Sequence, residues 1–184
     1  MPSLRSAPGY LWFKAAVFAL LALNAGIFLR SGTLSEGLDS IAWLTLLALF
    51  ELETGFGQRL RARPAIAAVH GLRLAALVAV GAAAAAFLYN KEWLDAANSG
   101  LWIAVVALLE LEVRRPVAVA VHRARFAAAA ATLYSGLGAL VFVWLWRGEW
   151  FDAYDAALWL VAFATIEMNV LKAAQRTDVE ARSG

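Results

Sequence analysis

The sequence predicts an all-α membrane protein of six transmembrane helices, arranged as three helical hairpins of the same orientation with pseudo-threefold symmetry. Three observations support this fold class. The 184-residue chain is 62% hydrophobic and 16% charged, with a mean hydropathy of +0.67, whereas soluble domains are nearer half apolar. Six apolar stretches approach the roughly 20 residues that cross a bilayer. A pattern of acidic and aromatic residues recurs three times along the chain.

The six apolar stretches cover residues 10–30, 38–56, 71–90, 96–113, 126–146 and 151–171. Backbone N–H and C=O groups find no water in hydrocarbon, so each stretch is expected to be a helix. Their apolar character is too continuous for the alternating strands of a membrane barrel. We expect one transmembrane domain, with repeats at about 5–57, 58–115 and 116–173 and a cytoplasmic tail at 174–184.

Basic residues are unevenly divided between the two ends of the predicted spans. The amino-terminal side carries 13 of the 16 lysines and arginines, and the opposite side carries only Arg30, Lys91 and Arg147. The positive-inside rule therefore places both termini in the cytoplasm, and we expect a bacterial inner membrane. The expected partners are the lipid bilayer and cations, with a homo-oligomer or a larger membrane complex left open. We expect no nucleic-acid partner.

The repeat is centred on Trp43, Trp102 and Trp159. Around each tryptophan, polar residues stand seven and four positions before it and eight and ten positions after it, without a gap in any copy. Such regular self-similarity is typical of repeated supersecondary units. In repeat order these residues are Glu36, Asp95 and Asp152; Asp39, Asn98 and Asp155; Glu51, Glu110 and Glu167; and Glu53, Glu112 and Asn169.

The residues four positions before each tryptophan precede a descending apolar run. We therefore predict that Asp39, Asn98 and Asp155 cap the amino ends of helices. The tryptophans are expected to pack the repeats together, with a constriction as the alternative. Asn24 lies mid-span and predicts a hydrogen bond between helices, while Gly136 and its neighbours predict a close crossing or a bend.

The glutamates eight residues after each tryptophan are the main candidate site. Glu51, Glu110 and Glu167 lie 12 residues beyond the outer acid or amide, which is about 18 Å of helix and places them in the inner leaflet. A charge there is costly unless it is paired or hydrated, and it commonly marks an ion pathway. The pattern therefore predicts a small cation channel or transporter, with Glu53, Glu112 and Asn169 as the second members of each pair.

Two other functions stay open. Bases that could pair with these glutamates, or relay protons to them, follow prolines at the start of the odd-numbered helices. Ion pairing alone would make the protein a non-catalytic membrane subunit or scaffold. His70 and His122 occupy equivalent positions and could instead ligate a redox cofactor. The candidate ion-pair partners of the glutamates, or proton relays to them, are Lys14, His70, His122, Arg73 and Arg125.

Composition and motifs narrow the chemistry further. The chain has no cysteine, which removes thiolate metal sites, iron–sulfur clusters and cysteine nucleophiles. It contains no Gly-rich phosphate loop and no histidine–glutamate zinc motif. We therefore expect no cofactor, and the sequence assigns no metal. No motif favours an enzyme, although glutamate and histidine within the membrane suffice for acid–base chemistry.

Overall fold

The computed structural model describes residues 8–56 and 63–165, which are helical apart from short turns. The predicted all-α class is confirmed. The helices are α1 (Pro8–Ser31), α2 (Leu34–Phe56), α3 (Arg63–Asn90), α4 (Trp93–Arg114), α5 (Pro116–Val121), α6 (Arg123–Arg147) and α7 (150–165).

Within the described residues, four helices are long and apolar enough to cross a membrane. At most 28% of the most apolar window of each is buried inside the protein, and in α6 the share is 6%. Such apolar surface is compatible with an integral membrane protein, because lipid can cover it. α2 carries four acidic residues and α7 is described over 150–165 only, so six spans stay a prediction. The four spans are Leu11–Ser31, Pro64–Asn90, Trp93–Glu112 and Arg123–Arg147.

The long helices pack side by side in a closed ring. α1 packs on α2, α2 on α3, α3 on α4, and α4 on α6. α7 completes the ring, because its Leu158 packs with Leu21 of α1 and its Ala153 packs with Trp144 of α6. Across the ring, Trp102 of α4 joins a core cluster with residues of α2, α3 and α6.

The turns that follow α3 and α6 have the same geometry. Lys91 and Gly148 adopt left-handed backbone conformations, with φ of 63° and 78°. The next residue in each turn donates its N–H five positions back, from Glu92 to Phe87 and from Glu149 to Trp144, both at 2.9 Å. This six-to-one bond is the Schellman pattern that ends a helix and satisfies its last carbonyls.

A short separate helix precedes the fifth predicted span. Pro116 is the first residue of α5, where a backbone N–H would have no partner within the helix. Proline, which has no N–H, therefore loses no hydrogen bond at this position. The backbone departs from helical geometry at His122, with φ −112° and ψ 29°, and α6 then runs unbroken. The predicted close crossing lies at Gly136, where an added Cβ would stand 3.2 Å from Leu101 Cδ1 of α4.

Replacing Gly148 by alanine tests the turn that joins α6 to α7. Gly148 has a positive φ and open space around it, so the cost is backbone strain alone, about 1 kcal/mol. Gly138→Ala is the matched control, because Gly138 also has open space but lies inside α6, where alanine is the better helix former. Thermal unfolding in detergent should show a lower midpoint for Gly148→Ala and an equal or higher one for Gly138→Ala. Equal losses in both variants would contradict this assignment.

Candidate functional site

A small acidic cavity opens at the end of the bundle where the α1–α2, α3–α4 and α6–α7 turns lie. Its volume is about 50 Å³, which is room for an ion with a few water molecules. All six repeat positions seven and four residues before the tryptophans line it. They are Glu36, Asp39, Asp95, Asn98, Asp152 and Asp155, joined by Phe28, Ser40, Phe87, Trp144 and Ala156.

Helical spacing explains why these residues meet. On each of α2, α4 and α7 the two polar residues and the tryptophan stand at positions i, i+3 and i+7, which share one helix face. Three helices that turn this face inward therefore bring two layers of polar side chains and one of tryptophan together. Asp39, Asn98 and Asp155 lie inside their helices, and the amino-terminal boundary residue of α4 is Glu92. The predicted capping role is wrong, because the helices begin about one turn earlier.

Hydrogen bonds from buried side chains hold two of the cavity carboxylates. Asn24 of α1 is 2% exposed and donates from Nδ2 to Oδ1 of Asp155 on α7 at 2.7 Å. This confirms the predicted bond between helices. Trp43 Nε1 donates to Oδ1 of Asp39 at 3.1 Å, and the hydroxyl of Ser99 approaches the same oxygen at 3.5 Å.

The cavity has an unbalanced negative charge. Within 8–56 and 63–165, its five carboxylates have no lysine or arginine at ion-pair distance. Asn98 adds a buried Oδ1 atom that has no hydrogen-bond partner in the same part of the chain. Converging oxygen atoms without a counter-charge favour cations or protons. No three acidic or histidine side chains of the described residues are spaced to hold a metal ion directly, so a metal cation there would keep water ligands.

The three repeat tryptophans pack against one another. The ring centroids of Trp43 and Trp102 are 6.5 Å apart, as are those of Trp102 and Trp159. Phe163 of α7 packs on Trp102 at 4.5 Å. We refer to these four residues as the tryptophan cluster. The tryptophans come four positions after Asp39, Asn98 and Asp155, respectively. The cluster therefore lies about one helical turn further along α2, α4 and α7 than the cavity.

Basic side chains form ion pairs with the two glutamates that follow the first repeat tryptophan. Lys14 of α1 pairs with Glu51, and Arg73 of α3 pairs with Glu53. The side chains of the Lys14–Glu51 pair are only 30% and 20% exposed, so this pair is partly shielded from its surroundings. α2 is therefore joined to α1 by one glutamate and to α3 by the other.

The remaining predicted residues take different positions. Glu110 pairs with Arg114 one turn along its own helix, and both side chains are more than half exposed. Glu112 is half-buried on α4, and Arg125 is exposed near the start of α6. Glu167 and Asn169 lie outside the described residues.

The two histidines do not meet. His70 is exposed on α3, and its Nδ1 bonds the carbonyl of Ile66 on the same helix at 2.9 Å. His122 is exposed at the break between α5 and α6. α3 does not pack directly against α5 or α6 within the described chain, so a shared cofactor between these histidines stays a prediction of the sequence alone.

A comparison with models of protein families, with curated proteins and with solved structures finds no match. Any function assigned to this chain therefore rests on its own residues.

Replacing Asn24 by leucine tests the bond that holds the cavity wall. The change keeps the number and branching of the side-chain heavy atoms but leaves Asp155 without its buried donor, and we expect a loss of about 1–3 kcal/mol in stability. Thr132→Val is the control, since the exposed Thr132 hydroxyl bonds only its own helix and its loss should cost less than about 0.5 kcal/mol. Thermal unfolding of both variants, and of the Asn24→Leu/Asp155→Leu pair, measures the coupling. Additive losses in the double variant would refute a direct bond.

Proposed function

We propose that this chain is a small integral membrane transporter or channel for cations, and that cations enter it through the acidic cavity. One observation carries the proposal. Six polar residues at equivalent repeat positions line a single cavity, and five of them are carboxylates without a basic partner in the described residues. A cavity lined by one sign of charge concentrates ions of the opposite sign.

The proposed architecture has six spans, with α2 and α7 added to the four helices that satisfy the length and hydropathy of a membrane span. The repeats 5–57, 58–115 and 116–173 then surround a pseudo-threefold axis. The shared geometry of the turns at Lys91 and Gly148 and the tryptophan cluster support this arrangement. The excess of basic residues on one side supports cytoplasmic termini and an inner-membrane location.

The tryptophan cluster bears on the transport mode. Trp43 and Trp102 are 8% and 5% exposed and pack with Trp159 directly beyond the cavity. These packed rings stand in the way of an ion that enters the cavity, so we expect it to go further only when these side chains move. A gated pathway fits this arrangement better than a permanently open pore. Glu51, Glu110 and Glu167 would receive the ion at the opposite end.

A second function has its own support. The pairs Lys14–Glu51 and Arg73–Glu53 join α2 to both of its neighbours. Breaking a partly buried ion pair by removing one partner is costly, because it leaves a charge unpaired. These glutamates therefore also suit a non-catalytic membrane subunit in which the pairs only hold the bundle together.

Ion flux separates the two functions. Liposomes that contain the purified chain should show protein-dependent flux of at least one of protons, sodium, potassium or a divalent cation. Asp39→Asn with Asp155→Asn keeps the shape of the cavity wall and should lower that flux at least tenfold, on the order expected for loss of electrostatic focusing. The control is Glu149→Gln, an acid at the same end that pairs with Arg147 and does not line the cavity.

Three outcomes are informative. No flux of any tested ion, from protein shown to be folded and inserted, would refute the transport proposal and favour the subunit. Equal flux in the cavity variant and the wild type would refute the cavity as the entry site. Glu51→Gln, Glu110→Gln and Glu167→Gln together test the opposite end, where lost flux with an intact fold indicates a pathway and lost fold indicates structural pairs.

The six-span topology can be tested with single cysteines, since the chain has none of its own. Cysteine at Ser31 or Glu149 should react with a membrane-impermeant thiol reagent from outside the cell. Cysteine at Gln58 or Ser183 should react only from the cytoplasmic side. Outside labelling at position 58 would show that α2 does not cross the membrane, and outside labelling at position 183 would show the same for α7.

A further inference from the structure

The short helix α5 has apolar side chains that nothing in the described structure covers. Val117 and Val121 are 76% and 71% exposed. The sequence of α5 is Pro-Val-Ala-Val-Ala-Val, so it has no polar face to turn toward water. Its neighbours in the described chain are α4 and α6 alone. At six residues it is about 9 Å long, far too short to cross a bilayer.

Arginines stand on both sides of α5. Residues 110–125 contain four arginines and two glutamates, a formal charge of 4 − 2 = +2. Arg114 pairs with Glu110. Arg115, Arg123 and Arg125 are exposed, and among the described residues none of the three has a carboxylate at ion-pair distance.

The position of α5 along the chain places it at a membrane surface. The apolar part of α4 ends at Glu112 and that of α6 begins at Arg123. The connecting segment therefore lies where both helices leave the hydrocarbon. Apolar side chains bordered by arginines match this boundary, since the side chains can enter the acyl region while the guanidinium groups stay at the level of the headgroups.

We propose that α5 lies in the membrane interface, and that the arginines beside it bind the phosphate headgroup of an anionic phospholipid. The acyl chains of that lipid cover Val117 and Val121. Guanidinium groups donate charge-assisted hydrogen bonds to phosphate oxygens, and a net negative headgroup balances the local positive charge. This site depends on insertion in a membrane and not on cation transport.

Lipid binding to the full chain tests the proposal. Detergent-purified protein is titrated with phosphatidylglycerol or with phosphatidylcholine of the same acyl length, and bound lipid is counted by native mass spectrometry. The wild type should prefer phosphatidylglycerol. Arg123→Gln with Arg125→Gln should weaken that binding roughly fivefold for each arginine, or about 25-fold together.

A matched pair at the other end of the bundle controls for loss of charge. Arg30→Gln with Lys91→Asn also removes two exposed bases that have no carboxylate at ion-pair distance among the described residues. Asparagine tolerates the positive φ of Lys91. This control should bind phosphatidylglycerol like the wild type. Val117→Asn with Val121→Asn should also weaken lipid binding, because acyl contacts are lost.

Each other result overturns the proposal. Equal binding of the two lipids by the wild type would remove the headgroup preference, and equal losses in the two charge variants would show a non-specific charge effect. Displacement of phosphatidylglycerol by inorganic phosphate at equal concentration would show an anion site that does not need a lipid. Unchanged binding in the Val117/Val121 variant, with its thermal midpoint preserved, would show that α5 does not contact the lipid.

Discussion

An apolar bundle has to keep carboxylates away from lipid, and the arrangement of the helices follows from this constraint. Asp39, Asp95 and Asp155 lie on α2, α4 and α7, which also carry exposed apolar side chains. An unpaired charge inside a bilayer costs at least about 2.5–3.5 kcal/mol. When each polar face turns inward, these charges gather in one small cavity. The same constraint therefore explains both the cavity and the inward orientation of α2, α4 and α7.

The tryptophan cluster and the ion pairs complete this arrangement at two further levels. Beyond the cavity, Trp102 contacts the rings of both other repeat tryptophans and so joins α2, α4 and α7. Further along α2, Lys14 and Arg73 neutralise Glu51 and Glu53 from either side. Within the described residues, the cavity at one end of the bundle thus holds acids without basic partners, while bases pair with Glu51 and Glu53 toward the other end. This difference makes the first end the better candidate for binding a cation.

Several features of the site were predictable from local pattern. The offsets around Trp43, Trp102 and Trp159 identify the six repeat residues that line the cavity, but not the other residues of its wall. The mid-span position of Asn24 predicts its bond to another helix. The role of Asp39 and its equivalents was misassigned, because an acid before an apolar run resembles a helix cap. Their i, i+3 and i+7 spacing with the preceding acid and the tryptophan was the available signal for a shared inward face.

The sequence by itself determined the helical class, the apolar helices suited to a membrane and the repeated positions of acid and tryptophan, because hydropathy and spacing are properties of the chain alone. Only the tertiary structure decided which glutamates are paired, and that the six polar residues before the tryptophans share one cavity. The physical reason is that residues far apart in the chain meet through the rotation and neighbours of each helix. Those depend on how all the helices pack together, and no single segment encodes them.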